Sequence, residues 1–311
     1  MNITEAQNTF INKSNLDKLF FSKYRFTLES NKKIEFVENL DSIIRGTFGT
    51  SLKNIVCINE EKNCTPCNYR KNCAFIYIIL NDDKKHIPKP YILDFEKFDG
   101  KILNFSITLI GNANKYYKQI FYSIRELCIL GLGKDREEFS LVKVEALTKK
   151  LDFKMVYDKN NNISIAEKIT INDINITHSN KFLLEIIKPL RIDQDKELIK
   201  DLNSQVFFKT LLRRLSSLMY FYCDTNLDID FENFFEIASS ITMIKKELFF
   251  KSKKRYSARQ DKEIPLYGLK GSIEIEGNLE IFYLFLILGS YLHVGKGVSF
   301  GMGKYQLLNI S

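Results

Sequence analysis

The chain has no tryptophan and only three histidines among its 311 residues, and beyond Glu280 it has neither aspartate nor glutamate. Each shortage narrows the reading. Without Trp, 15 Tyr and 25 Phe must supply both the core and any stacking platforms, and most of these rings belong to the core. Three His leave few side chains that titrate near neutrality. The opening stretch MNITEAQNTFINKSNLDK lacks the apolar segment of a signal peptide, and the longest apolar run, Ile281 to Val294, is too short to span a bilayer. The expectation is a soluble, cytoplasmic protein with no membrane partner. In a reducing compartment its six Cys point to thiols or metal ligation rather than to a disulfide framework.

What is present suits a folded, polyanion-binding protein. A hydrophobic content of 45% supports two modest domains or one large one, and a formal charge of +8 favours nucleic acid ahead of an anionic membrane. FFSKYRFTLE (20–29) alternates as a strand does. In VENLDSIIRGTFGTSLKNIVC (37–57), Leu40, Ile43, Ile44, Phe48, Leu52 and Val56 recur at helical spacing. Gly46 and Gly49 interrupt that helix at about 1 kcal/mol each, which predicts close approach by a strand, another helix or a ligand.

One succession of elements occurs twice. KILNFSITLIG reads as a strand, NKYYKQIFYSIRELCILG as a helix, and GLGKDREEFSLVKVEAL turns through glycines into another strand. About 165 residues later, GLKGSIEIEG, NLEIFYLFLILGSYLHVG and GKGVSFGMGKYQLLNI repeat that order. In this second copy KFLLEIIKPLRI reads as a strand, Asp201 to Cys223 as a helix, and KKELFFKSKKRYSAR as a basic strand or hairpin. The arrangement predicts an α+β fold of two tandem ferredoxin-like, RRM-like βαββαβ domains. Their boundaries are expected at 1–148, with a Cys-rich insertion at 57–73, and at 149–311. In such a module one sheet face is left to present rings and basic groups to RNA.

Charge and glycine concentrate in the second copy. From Lys245 to Lys262 there are eight basic residues against Glu247 and Asp261, a net +6 in eighteen residues, and eight of the fourteen glycines lie from Gly268 onward. Lys and Arg bind phosphate by charge, and a glycine turn can offer backbone N–H groups. Tyr256, among the basic residues, could stack a base. A solvated basic hairpin beside a glycine-rich turn accounts for the same composition. Two nucleotide motifs fail. The spacing from Gly297 to Lys304 places Tyr305 where a Walker loop needs a hydroxyl, and the helix precedes the glycines where a dinucleotide fingerprint needs it to follow.

With a helix, G-x-G-x-x-x-G-x-G and a terminal strand in place, the chain resembles the CRISPR-associated endoribonucleases that process precursor crRNA, members of the RAMP superfamily. The matching pieces are IIRGTFGTSLKNIVC, KPYILDF, GLGKDREEFSLVKV, RYSARQDKEIPLYGLKGSIEIEGNL and YLHVGKGVSFGMGKYQL, in register along both halves. The resemblance implies a C-terminal glycine-rich loop that grips CRISPR repeat RNA. It further implies metal-independent cleavage, without a catalytic cofactor, in which the ribose 2′-OH attacks the adjacent phosphate. RNA contacts then fall on Lys251, Lys253, Lys254 and Tyr256 in the hairpin and on Gly295, Lys296, Gly297, Gly301, Gly303 and Lys304 in the loop. Such chemistry needs a base, an acid and cations for the phosphorane. His293 is the candidate proton-transfer group, and Arg255 and Arg259 are the candidate cations. Against His293 stands its place at the end of an apolar helix, where a His caps carbonyls or packs in the core; His86 and His178 read as surface residues. Relatives often carry a His where this chain has Thr50.

Cys57, Cys64, Cys67 and Cys73 fall within seventeen residues, which fits a structural zinc, while a buried Cys57 would leave three thiols without a fourth ligand. Other CRISPR effector subunits are expected partners, and the chain is expected as a monomer or homodimer. A non-catalytic RAMP subunit holding crRNA is the alternative, supported by Thr50. A zinc-stapled DNA-binding protein is a third reading, disfavoured because no recognition helix carries the charge.

Overall fold

The computed structural model describes residues 5–36, 40–59, 63–81, 87–157, 162–176, 179–194, 197–257 and 262–310, with the backbone alone for 245, 253–257 and 262–266. Contacts divide the chain into two compact units, Phe21–Ile169 and Met1–Phe20 with Thr170–Ser311. This differs from the expected division at 148/149. Phe21 N–H and Ile169 N–H each donate to the other's carbonyl, at 3.0 and 2.8 Å, so the chain as far as 169 pairs back onto the first strand of its own unit.

The first unit contains β1 (Phe21–Glu29), α2 (Leu40–Val56), β2 (Tyr91–Phe98), β3 (Ile102–Ile110), α3 (Tyr117–Leu130), β4 (Ser140–Leu147) and a short β5 (Phe153–Met155); α1 (Glu5–Ser14) belongs to the other unit. Its sheet order is β2-β3-β1-β4-β5, with β1 antiparallel to both β3 and β4. The alternation in β1 is used as its period of two dictates. Tyr24, Phe26 and Leu28 are buried, and Lys23, Arg25 and Thr27 take the other face. Phe26 stacks on Phe105 with centroids 5.4 Å apart. Ile44, Phe48 and Leu52 of α2 and Ile120, Ile124 and Leu127 of α3 complete the core, each burial stabilising by about 1.5–3 kcal/mol. At Gly46 and Gly49 no described heavy atom beyond their chain neighbours and the helix's own backbone lies within 4 Å of where a Cβ would sit. Among the described residues, neither a strand nor another helix makes the close approach expected there.

The second unit contains β6 (Lys181–Leu190), a two-residue ladder of β7 (Asp193–Gln194) with β8 (Glu197–Leu198), α4 (Ser204–Tyr222), α5 (Phe231–Ser240), β9 (Thr242–Ser257), β10 (Lys262–Glu276), α6 (Phe282–Leu292) and β11 (Tyr305–Asn309). Its sheet order is β11-β6-β10-β9. In both units the first strand is central, flanked by the strand before the second helix and the strand after it. The sequence repeat is therefore a repeat of ferredoxin-like topology. Asn203 caps α4, its side-chain oxygen accepting from Val206 N–H at 2.9 Å. The second helix is shorter than Asn278 to Gly295, beginning at Phe282 and ending at Leu292. The N-terminal segment, read only as lacking a signal sequence, forms α1, whose Ile11 is buried and whose Phe10 lies edge-on to Phe285 at 6.0 Å.

The sheet face away from the buried side chains is mixed in charge. One register row across all four strands runs Gln306, Glu185, Ser272, Glu247. From the next row Glu274 reaches diagonally to Lys181 at 3.1 Å. On the ribbon side the neighbouring row sets Lys270 opposite the exposed Phe249, so acid lies at the middle of the face and a cation and a ring lie toward the ribbon.

Candidate nucleic-acid interface

The basic segment forms a ribbon. β9 and β10 pair from Thr242 with Glu276 to Ser257 with Lys262, whereas β6 pairs with β10 only from Leu269 onward. Lys251, Lys253, Lys254, Arg255 and Tyr256 thus stand on a stretch of hairpin with no third strand beside it. Nearer the sheet, Phe249 and Phe250 are exposed, at 57% and 43%, and the Phe250 ring lies 6.3 Å from Tyr267. These two Phe are stacking candidates that the reading of Tyr256 alone overlooked. Arg259, His86 and His178 lie outside the described residues.

The glycine loop is built as a tight, self-bonded turn. Gly295, Gly297, Gly301 and Gly303 all have positive φ. At Gly303 (φ +70°) a Cβ would sit 1.7 Å from the Val294 carbonyl oxygen, so only glycine fits. The backbone N–H groups of Lys296, Phe300, Gly301 and Gly303 donate to Arg191, Gly297, Val298 and Pro189 carbonyls respectively. Those four are therefore not offered to phosphate. The Lys304 carbonyl accepts from Ile187 and Lys188 N–H groups at 2.9 and 3.1 Å, fastening the loop's end to β6.

Lys296 is exposed but not unbalanced. Its Nζ donates to Asp193 Oδ2 at 2.8 Å, so the acid missing from the end of the chain is supplied by β7, 103 residues away. Arg191 donates to the same carboxylate through Nε and Nη2 at 2.9 and 3.0 Å, and its guanidinium lies 4.5 Å from the centre of the Tyr267 ring. Burial raises the Asp193 pKa, but Arg191 and Lys296 together outweigh it and hold the carboxyl below its usual value.

His293 is placed inside the protein. It is 4% exposed, takes φ +56° and ψ 168° at the end of α6, and its Nδ1 donates to the Met302 carbonyl at 3.2 Å. Its own carbonyl and that of Leu292 both accept from Arg214 Nε at 2.9 Å. Arg214 is itself buried, its Nη2 has no hydrogen-bond partner among the described residues, and burial lowers its pKa to about 10. His293 thus holds the loop to the helix end rather than facing solvent. Arg214 had a legible signal in the sequence: it shares a helical face with Phe207, Leu211 and Leu218, so a cation was bound to fall among apolar side chains.

In α2, Thr50 is exposed and its Oγ1 donates to the Gly46 carbonyl, a contact with no acid–base capacity near neutrality. Cys57, Cys64, Cys67 and Cys73 are unpaired in disulfides and line one cavity. Burial, reinforced by the neighbouring thiols and opposed by Lys53, raises the Cys64 pKa, which favours the neutral thiol. Among the described residues no three His, Cys, Asp or Glu are grouped to hold a metal ion, and the expected zinc is not shown. No described helix is long and apolar enough to cross a membrane.

The fold defines a class, that of proteins with two ferredoxin-like domains in tandem, and the comparisons refine it. Residues 184–305 match the family model of the CRISPR-associated endoribonuclease Cas6, and residues 19–169 match AF_1859_N, described as an N-terminal domain. From Leu184 in β6 to Tyr305 at the start of β11 the chain carries a Cas6 endoribonuclease domain, which supports an endoribonuclease of the CRISPR-associated class. Its fold is shared with Thermus thermophilus Cas6, at 13% identity and a TM-score of 0.57, over 93% of this chain and 99% of that one. It is also shared with a Cas6 solved as a product complex, at 11% identity and a TM-score of 0.57 over the same shares. A chain of a partial Cas6-RT-Cas1–Cas2 complex matches 93% of this one at 15% identity and a TM-score of 0.56, with 46% of its own length covered. No curated protein matches the sequence.

Proposed function

We propose that the protein cleaves CRISPR repeat RNA in precursor crRNA, without a catalytic metal, by transesterification. The ribose 2′-oxygen forms a bond to the adjacent phosphorus while the bond to the 5′-oxygen breaks. The 2′-OH proton passes to a base and the leaving 5′-oxygen gains one from an acid, giving 2′,3′-cyclic phosphate and 5′-OH ends. The observation that carries the reading is the self-bonded glycine loop between α6 and β11, inside the segment matching Cas6, with Lys296 and Arg191 beside it. The phosphorane's charge falls to Arg255 and Arg259. The burial of His293 supports a positioning role for it and not proton transfer. Incubating the protein with end-labelled repeat RNA in EDTA should give one site-specific cut, and a 2′-deoxy nucleotide at that site should abolish it. A cut that survives the 2′-deoxy substitution would sink the mechanism.

One observation favours a second reading, a RAMP subunit that holds crRNA without cutting it: His293 is buried, and Thr50 stands where the resemblance implies an imidazole. The same assay separates the readings, since this one expects retention of the RNA with no product.

A further inference from the structure

The residues around Asp193 form a built anion site. Its carboxylate, with the side chain 7% exposed, holds two cations that come from opposite ends of the second unit's sequence. Arg191 is fixed on three sides, by a two-point ion pair along one edge, by the Tyr267 ring beneath it, and by its backbone carbonyl, which accepts from Lys296 N–H at 2.8 Å. Lys296 is 60% exposed, and one of its three protons goes to Asp193. Arg191 Nη1 has no partner among the described residues, and the Arg191 side chain is 27% exposed. Both cations lie within 3.0 Å of the same carboxylate oxygen, Oδ2. Two head groups that close can reach two oxygens of one phosphate, and the three charges sum to +1. The exposed Phe250 ring lies next to Tyr267.

We propose that Arg191 and Lys296 form a clamp for one backbone phosphate of the RNA at the foot of the β9–β10 ribbon, with Asp193 as its positioning residue and Phe250 as the stacking surface for the attached base. Resting on the RNA-processing reading above, the clamp deepens it by naming a subsite. An ion pair placed only for stability would contribute little at a surface. A buried carboxylate that pre-sets two outward-facing cations removes much of the ordering cost of gripping a phosphate.

The test is the salt dependence of binding to 2′-O-methyl repeat RNA, which cannot be cut, measured by fluorescence anisotropy of the full chain. Arg191→Met and Lys296→Met should each weaken binding about tenfold. Each should flatten the slope of log Kd against log salt by about 0.7, and because both grip one phosphate the double variant should lose little more than either single one. Asp193→Asn is the deciding variant. It adds a positive charge, so unspecific attraction predicts tighter binding, whereas loss of positioning predicts binding weaker by about fivefold, with recovery in Asp193→Glu. Lys13→Met, on α1, should change nothing. Should Asp193→Asn melt early, Lys296→Met still reads the clamp, because its side chain is mostly exposed. If wild type neither binds nor cuts repeat RNA, the processing reading falls and the clamp with it. If wild type cuts while Asp193→Asn binds more tightly, or the Met variants keep the wild-type slope, the clamp alone is overturned.

Discussion

The two copies of the fold end their second helix in the same way with different residues. After α3 comes Gly131 at φ +72° and ψ 160°; after α6 comes His293 at φ +56° and ψ 168°. That backbone region is nearly confined to glycine and costs a side chain roughly 1–3 kcal/mol. In the first copy the choice is forced, because a Cβ at Gly131 would lie 2.2 Å from the Arg136 carbonyl oxygen. The carbonyls there are answered by backbone alone, as Phe139 N–H donates to Cys128. In the second copy a buried guanidinium answers them, and the imidazole ties the helix end to Met302 across the glycine loop. The difference teaches that the second copy tolerates strain in order to hold a loop in place.

The sharpest test of that contrast is at the loop glycines. Gly303→Ala should destabilise the second unit by about 3 kcal/mol or more, since the clash at 1.7 Å is with backbone. At Gly133 the obstacle is the Phe36 side chain at 2.9 Å, so Gly133→Ala should cost about 1–2 kcal/mol, mostly from its positive φ. Denaturant unfolding would measure both, and equal losses would break the comparison. Arg214→Met should follow at about 2 kcal/mol, because two carbonyls lose a charge-assisted donor while an uncompensated buried cation disappears.

His293 gives the least intuitive outcome. His293→Ala loses the bond to Met302 and keeps the strained backbone, costing about 1 kcal/mol, whereas His293→Gly loses the bond and relieves the strain. The glycine variant should therefore be the more stable of the two by thermal melting; the reverse order would remove strain from the account. In α2, Gly46→Ala has open space and ordinary helical geometry, so it should stabilise by about 0.5–1 kcal/mol. The smallest effect is at Asp193, whose folded-state pKa lies below the ordinary 3.8. A depressed acid contributes stability that is full above its unfolded value and is lost as pH falls through its folded value. Wild type and Asp193→Asn should thus differ by about 1 kcal/mol or less at neutral pH and converge in acid.

Much of the fold was legible in the residues. The alternation of FFSKYRFTLE, the helical spacing from Leu40 to Val56 and the repeated strand–helix–glycine order each predicted the element that forms, and together they predicted the paired topology. The site was legible only as a region. Lys296 stands beside the glycines, but Arg191 and Asp193 lie just past β6 in LRID and Tyr267 lies within β10, and no spacing along the chain joins them to it. The role of His293 turned on burial, which an apolar helix end suggests without deciding.

Periodicity, glycine placement and the basic run are local properties, written at spacings of two to about four residues, and the sequence by itself determined them. Which unit α1 joins, which acid balances Lys296 across 103 residues, which glycines are crowded and which stand open were decided by the tertiary structure alone. The physical reason is strand pairing. Side chains far apart in the chain become neighbours only when register brings β6, β10 and the loop before β11 together, and no spacing along one segment encodes that meeting.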